Sequence, residues 1–249
     1  MLKEERHRLI LEQVHLHNRV LLTDLAESLD VSVDTIRRDV KELDHQKKLN
    51  KVHGGAISHG FLSNSSLSQD VYLQPEKQVI AKKAVDLLKE GQVILMSGGT
   101  TNIELVRNFP RKFSLTVFTP SLQVANQLMD FPNIEVIFVG GKLLSEAKFA
   151  VGGMVINLLS QIKVDICFLG TGYLDSVQGL TEFDWEVVQV KKAMIASSKK
   201  LVLLTVSNKL NSVQRYKTCD LNAVDVLITE LPNTAPKLDP FREFISEIL

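Results

Sequence analysis

Residues 92–105 read QVILMSGGTTNIEL, an apolar run that stops at Ser-Gly-Gly-Thr-Thr and turns into a helical pattern. An apolar stretch of this length, ended by small residues, predicts a buried strand, a tight turn and a helix start. Glycines in the turn let the backbone approach an anion. Hydroxyls and N–H groups of the first helical turn then donate to it. The fold around this stretch decides whether the chain reacts with such an anion or senses it.

Outward from this point the same grammar repeats. Short apolar runs, QVILM, LTVF, IEVIFVG, VDICFLG, KLVLLTV and DVLIT, alternate with helical patterns such as PEKQVIAKKAVDLLKE, SLQVANQLMD and WEVVQVKKAMIASS. Strands apolar on both faces and separated by helices predict a mostly parallel α/β sheet over residues 75–249. The last segment, PFREFISEIL, reads as a short terminal helix.

Ligands of such sheets bind beyond the carboxyl ends of the strands. Three ends carry donors: Ser97, Gly98, Gly99, Thr100 and Thr101; then Thr119 and Ser121; then Gly170, Thr171 and Gly172. Thr119 is expected as a helix N-cap with Pro120 at the first helical position. Lys191 and Lys209 are candidate cations for the same edge. A single such turn is more often a capped helix start than a phosphate site. The convergence of three donor-rich ends on one edge carries the reading.

Residues 1–57 follow a different pattern. Ser32 is expected to cap the helix VDTIRRDVKEL and Thr23 the shorter DLAESL, with a tight turn between them at helix-turn-helix spacing. Val33, Ile36, Val40 and Leu43 form one apolar stripe, which leaves Asp34, Thr35, Arg37, Arg38 and Lys41 near the opposite face. A cationic helix face with a hydroxyl near its start fits entry into a major groove. Lys47, Lys48, Lys51 and His53 surround the following Gly54-Gly55 turn, where a β-wing would put lysines on phosphates. Arg37 to Lys51 holds six basic residues against Asp39, Glu42 and Asp44. Asp39 lies beside the apolar stripe and reads as an ion-pair partner within the domain. Residues 58–74, rich in Ser, Asn and Gln, read as a linker.

The 249 residues carry 29 basic and 29 acidic side chains, so no global field demands or excludes nucleic acid. Two cysteines, Cys167 and Cys219, give no disulfide framework and suit a reducing cytosol. The N-terminus lacks a signal-peptide pattern, and no apolar stretch approaches the ~18–20 residues of a membrane span. His15 and His17 point to different sides of a helix without completing a ligand set, so no metal is expected, nor any cofactor.

Arg6, Ile10, Val14, Ser32 and Thr35-Ile36-Arg37-Arg38-Asp39-Val40 match the helix-turn-helix signature of the DeoR-type bacterial transcription regulators. KVHGGA resembles that family's wing. SGGTTN resembles its effector loop, and FTPSLQVANQL, VIFVGGKL, FAVGG, CFLGTGYLDSVQGLT and VSNKL resemble its sensor blocks, so the likeness spans nearly the whole chain. It implies a winged helix-turn-helix joined to an α/β sensor similar in fold to ribose-5-phosphate isomerase and the CoA transferases. It also implies a phosphorylated sugar or related effector at Ser97, Gly98, Gly99, Thr100, Thr101, Thr119, Ser121, Gly170, Gly172, Lys191 and Lys209. Two positions depart from the pattern. Met96 replaces a frequent acidic residue, and Tyr173 stands where a small polar segment is common.

Isomerisation would need a positioned acid and base. Asp175, Glu182, Asp184 and Glu186 are the candidates near the strand ends, and no catalytic residue is assigned. The expectation is a cytoplasmic, ligand-responsive repressor of a carbohydrate-utilisation operon. It would bind double-stranded operator DNA and a sugar or polyol phosphate as a homo-oligomer, dimer or tetramer. A sugar-phosphate isomerase-like enzyme with an accessory DNA-binding domain is the alternative.

Overall fold

The computed structural model describes residues 1–58 and 72–249. The chain divides into two compact units, Met1–Tyr72 and Leu73–Leu249. The linker expected over 58–74 falls mostly on residues 59–71, which lie outside the described residues.

The first unit contains α1 (Lys3–His17), β1 (Arg19–Leu21), α2 (Leu22–Ser28), α3 (Val33–His45), β2 (Asn50–Val52) and β3 (Gly55–Ile57). Its strands form an antiparallel sheet in the order β1-β3-β2. The apolar stripe of α3 builds the core: Ile36, Val40 and Leu43 are fully buried against Ile10, Val14, Leu25 and Leu49, with Val33 at the margin. Ser32 caps α3, its Oγ accepting from the Thr35 backbone N–H at 3.2 Å. Thr23 does not cap α2. The helix begins at Leu22, straight out of β1, and Thr23 lies in its first turn with its hydroxyl donating to Asp24 at 3.0 Å. The reason is that the wing supplies the cap: the Leu22 N–H donates to the Gly54 carbonyl at 2.9 Å.

Gly55 has to be glycine because a Cβ there would lie 2.3 Å from the Val20 carbonyl oxygen across the β1–β3 pair. Asp39, nearly buried, ties α3 to α1. It accepts from Arg6 Nε at 2.5 Å and Arg6 Nη2 at 3.1 Å, and bonds His7 Nε2 at 3.1 Å. Burial alone would raise the Asp39 carboxyl, but the hydrogen bonds and charges of Arg6 and His7 outweigh it and hold it below its ordinary range.

In the second unit, α4 (Gln74–Val85) precedes β4 (Val93–Met96), α5 (Thr100–Arg107), β5 (Leu115–Thr119), α6 (Leu122–Leu128) and β6 (Ile134–Phe138). Next come β7 (Lys142–Leu144), β8 (Phe149–Val151), α7 (Gly153–Ser160), β9 (Ile166–Gly170), β10 (Tyr173–Asp175) and β11 (Gly179–Glu182). The remainder is α8 (Trp185–Ala196), β12 (Leu201–Leu204), β13 (Tyr216–Cys219), β14 (Val226–Ile228), α9 (Asp239–Arg242) and β15 (Glu247–Ile248). Seven strands form one sheet in the order β15-β14-β12-β9-β4-β5-β6, every pair parallel. Its central strands are buried on both faces, as their unbroken apolar runs require.

Two features depart from the sequence reading. Only Asp239–Arg242 of the terminal segment is an α-helix; Glu247–Ile248 instead pairs with β14 as an edge strand, which covers the backbone of β14. Two small antiparallel sheets, β7-β8 and β10-β11-β13, also leave the main sheet. Their strands are three or four residues long and too short to show a period in sequence.

Candidate functional site

In the first unit the charged back of α3 is exposed. Arg37 pairs with Asp34 one turn away, while Arg38 and Lys41 make no ion pair among the described residues. Ser32 and Thr35 share a hydroxyl hydrogen bond of 2.9 Å at the helix start. Lys47 and Lys48 occupy the connection from α3 to β2, Lys47 in the left-handed region at φ 56°, and both are exposed. Lys51 projects from β2, its backbone N–H anchored by Asp44 Oδ1 at 2.9 Å, and exposed His53 begins the wing turn. One unit thus presents a helix with unpaired cations at its middle and a hairpin with cations at its root. Buried core residues hold both in place.

In the second unit the strand order gives the location of the site. From β4 the chain adds β5 and β6 on one side, then returns to place β9 against the other side of β4. A reversal of this kind opens a crevice at the carboxyl ends of the two strands. Ser97 and Gly170 face each other across it. The Gly170 N–H donates to Ser97 Oγ at 2.9 Å, and Asn102 Nδ2 donates to the same oxygen at 3.0 Å and to the Gly98 carbonyl at 3.2 Å. A Cβ on Gly170 would approach the Gly98 carbonyl at 3.2 Å, and one on Gly98 would meet Ser121 Oγ and the Phe149 ring at 3.3 Å. The three donor-rich ends therefore form one packed cluster.

Gly99 precedes α5 at φ 109° and offers no side-chain cap, so the first N–H groups of this helix have no capping side chain among the described residues. Thr100 and Thr101, both half-buried, lie in that turn. Thr119 does not cap a helix. Its hydroxyl, fully buried at the end of β5, donates to the Met96 carbonyl at 2.8 Å and accepts from the Ser121 N–H at 3.1 Å. The cap of α6 is Ser121, whose Oγ accepts from the Val124 N–H at 3.3 Å. Pro120 still has to complete the turn out of the strand, which displaces the cap by two residues. Met96 is fully buried at the end of β4.

The two predicted lysines reach the third loop. Lys191 Nζ donates to the Gly170 carbonyl at 2.8 Å and is ion-paired with buried Glu182. Its charge is therefore already compensated. Lys209 Nζ donates to the Thr171 carbonyl at 2.8 Å. Burial lowers the Lys209 pKa to about 8, with Glu182 opposing and Lys191 reinforcing the shift. Gly172 lies over Glu182, its N–H donating to Oε1 at 3.3 Å. Sequence reasoning passed over Asn102 and Lys77 here, and weighed Glu182 only as a candidate acid or base. Asn102 bridges the crevice and keeps Oδ1 buried without a hydrogen-bond partner among the described residues. Glu182 compensates Lys191. Lys77, only 7% exposed on α4, has its pKa lowered to about 7 by burial and by Lys209, against Glu76 and Glu104. The position of Asn102 in the first turn of α5, just after the Ser97 loop, was a usable signal. A lysine in the first turn of a helix outside the strand-end loops gave none.

A winged helix-turn-helix with an exposed cationic face and a parallel α/β unit with a donor-lined crevice, carried on one chain, make up a ligand-responsive DNA-binding regulator. Family models agree with both halves. The DeoR-like helix-turn-helix domain matches residues 6–60 and the DeoR C-terminal sensor domain residues 73–231. The chain belongs to the DeoR family of transcriptional regulators. It is 34% identical to the HTH-type transcriptional repressor GlcR of Bacillus subtilis, over 94% of this chain and 92% of that one. It is 30% identical to the glycerol-3-phosphate regulon repressor of Escherichia coli, over 93% and 92%. Among solved structures, a ribose 5-phosphate isomerase A from Methanocaldococcus jannaschii is similar at 20% identity and a TM-score of 0.40. That match covers 54% of this chain and 53% of that one. No helix among the described residues is long and apolar enough to cross a membrane.

Proposed function

We propose that the crevice between β4 and β9 holds the anionic group of a phosphorylated sugar or polyol, and that its occupancy sets the affinity of the winged unit for operator DNA. The observation that carries this reading is the Ser97 joint, where Ser97, Asn102 and Gly170 bring two strand-end loops and the open start of α5 to one point. Backbone N–H groups and a helix N-terminus in that arrangement suit a phosphate. Thr100 and Thr101 add hydroxyls, and Lys209 adds a cation. The glycerol-3-phosphate named for the Escherichia coli relative belongs to the same chemical class and supports it. Arg38, Thr35 and Lys41 would meet base edges in this reading, and Lys47, Lys48, Lys51 and His53 the phosphates. Paired units would read two half-sites, which requires a dimer or tetramer. The protein would act in the cytoplasm as a repressor of carbohydrate-utilisation genes.

We read the sensor as non-catalytic. Asp175 accepts from the Val177 and Gln178 N–H groups, and Asp184 caps α8. Glu186 pairs with Lys142, and Glu182 is compensated by Lys191. These engagements leave none of the four poised as a general base.

A thermal-shift panel of sugar and polyol phosphates tests the reading, followed by gel shifts of promoter DNA with each hit. A ligand at 100 times its Kd adds about 2.7 kcal/mol to the folded state, so a true effector raises the melting temperature clearly. A panel without any shift overturns the assignment, and catalytic turnover of a sugar phosphate overturns the non-enzyme reading.

A further inference from the structure

We infer that Glu182 is the hydroxyl-selecting residue of the sensor crevice: its Oε2 accepts from a hydroxyl of the effector, so that the sensor prefers polyhydroxylated phosphates to simple alkyl phosphates. The inference rests on the crevice being the effector site and adds to it a specificity-determining residue. The loop after β9 is held at three consecutive residues. Lys191 Nζ donates to the Gly170 carbonyl and Lys209 Nζ to the Thr171 carbonyl, both at 2.8 Å, while the Gly172 N–H donates to Glu182 Oε1 at 3.3 Å. The Thr171 hydroxyl is occupied within the loop, donating to the Tyr173 carbonyl at 2.8 Å and accepting from the Tyr173 N–H at 3.1 Å. Glu182, at the end of β11, is 6% exposed and ion-paired with Lys191 through the same Oε1. Its two oxygens therefore differ. Oε1 takes two donors, and Oε2 takes none among the described residues. An ionised carboxylate only accepts, and a nearly buried oxygen without a donor is costly. A Cβ at position 172 would lie 3.2 Å from Oε2, so the absence of a side chain on Gly172 leaves this oxygen uncovered. Gly170, whose N–H meets Ser97 at the anion joint, is two residues away, at most about 7 Å along the chain. A short polyol phosphate covers that span. Asn102 Oδ1 also lacks a partner among the described residues, but it is sealed from solvent and so from a ligand. Oε2 repels a second phosphate oxygen and favours a donor. A sugar or polyol chain supplies that donor and an alkyl chain does not. A site built around such an acceptor rejects the analogue that leaves it unpaired.

Two pairs of matched carbon chain test this: glycerol 3-phosphate against n-propyl phosphate, and sorbitol 6-phosphate against n-hexyl phosphate. Binding to the full chain is measured by calorimetry, with folding checked by circular dichroism. The wild type is expected to prefer the hydroxylated member of at least one pair by about tenfold or more. Glu182→Gln keeps the shape of the side chain and removes its charge. It also frees Lys191, which strengthens phosphate binding in both members, so the ratio is the readout and should fall below about threefold. A purely structural role for Glu182 shifts both members alike and leaves the ratio unmoved. Should Glu182→Gln not fold, Gly172→Ala decides, because it sets a methyl against Oε2 and keeps the Glu182–Lys191 pair. Glu186→Gln, at the carboxylate paired with Lys142, leaves the ratio as it is in the wild type. A tenfold ratio retained in the deciding variant overturns the role of Glu182, as does equal binding of both members by the wild type; either leaves the crevice reading standing. Absence of binding by all four phosphates overturns both.

Discussion

Replacing Asp39 with alanine separates two roles that a carboxylate on a recognition helix can have. If it reads bases, its loss changes operator affinity and leaves folding alone. The geometry requires the reverse. Asp39 is 4% exposed and receives both Arg6 nitrogens and His7, so alanine leaves the guanidinium of Arg6 nearly buried without its carboxylate. Removing one partner of a fully buried pair costs about 3–5 kcal/mol. Arg6 keeps 13% of its side chain in solvent, which moves the expectation to the bottom of that range or just below it, about 2–3 kcal/mol. A unit of this size has roughly 4–11 kcal/mol in all, at about 0.05–0.15 kcal/mol per residue. The variant therefore loses a substantial fraction of the stability of the winged unit.

Urea unfolding of the full chain, followed by hydrogen exchange in α1 and α3, measures this directly. Operator affinity should fall only in proportion to the unfolded fraction and recover on cooling toward maximum stability. The pH dependence has a defined sign. The folded carboxyl sits below its ordinary value, so its stabilisation is complete above about pH 5 and is lost as pH falls below about 4. Unchanged unfolding of Asp39→Ala, with lost operator binding, would refute the argument and make Asp39 a DNA contact.

Three further outcomes follow from the same geometry. Ser97→Ala strands the Gly170 N–H, while Asn102 retains the Gly98 carbonyl, so the sensor unit should lose about 1–3 kcal/mol in urea unfolding; a loss under about 0.5 kcal/mol contradicts the joint. Gly55→Ala drives a methyl against the Val20 carbonyl and should destabilise the winged unit by about 1–3 kcal/mol, seen as a lower first melting transition with the sensor transition unmoved. Arg38→Ala should cost about 1–3 kcal/mol on operator DNA and relax specificity, whereas Lys48→Ala should weaken binding to every duplex and reduce the salt slope by about 1. Unchanged gel shifts for both would remove α3 and its following lysines from the interface.

Much of the fold was legible because its main signals are periodic. The α3 stripe and the doubly apolar strands leave little freedom in how they are buried, and Ser32 marked its helix start by chemistry alone. Thr23 and Thr119 misled for one reason. Each is a capping residue type near a helix start, yet another group supplies the cap: the Gly54 carbonyl, distant in sequence, accepts from the Leu22 N–H of α2, and Ser121 caps α6 while the Thr119 hydroxyl donates to the Met96 carbonyl. The site was legible as a set of loops but not as a charge distribution. Lys191 and Lys209 were visible as cations, but their partners Glu182 and Thr171 depend on how β9, β11 and α8 meet. Lys77 was invisible because its burial depends on how its helix packs within the sensor unit.

The β4–β9 contact has a consequence for how the sensor unit assembles. On one flank each strand pairs with the next in the sheet's chain order, β4 with β5 and β5 with β6; on the other β9, β12, β14 and β15 do the same. Each flank can grow by local steps. The seam joins Ile94 to Ile166 and Met96 to Phe168, closed at its lower end by Asp165 on the Val93 N–H at 3.0 Å and at its upper end by Ser97. It is the long loop closure of the sheet and, for that entropic reason, the step expected to come late. If that order holds, a ligand bridging Ser97 and Gly170 would fasten contacts that form after the folding barrier is crossed. It would lengthen the lifetime of the folded sensor by slowing unfolding and leave the refolding rate nearly unchanged.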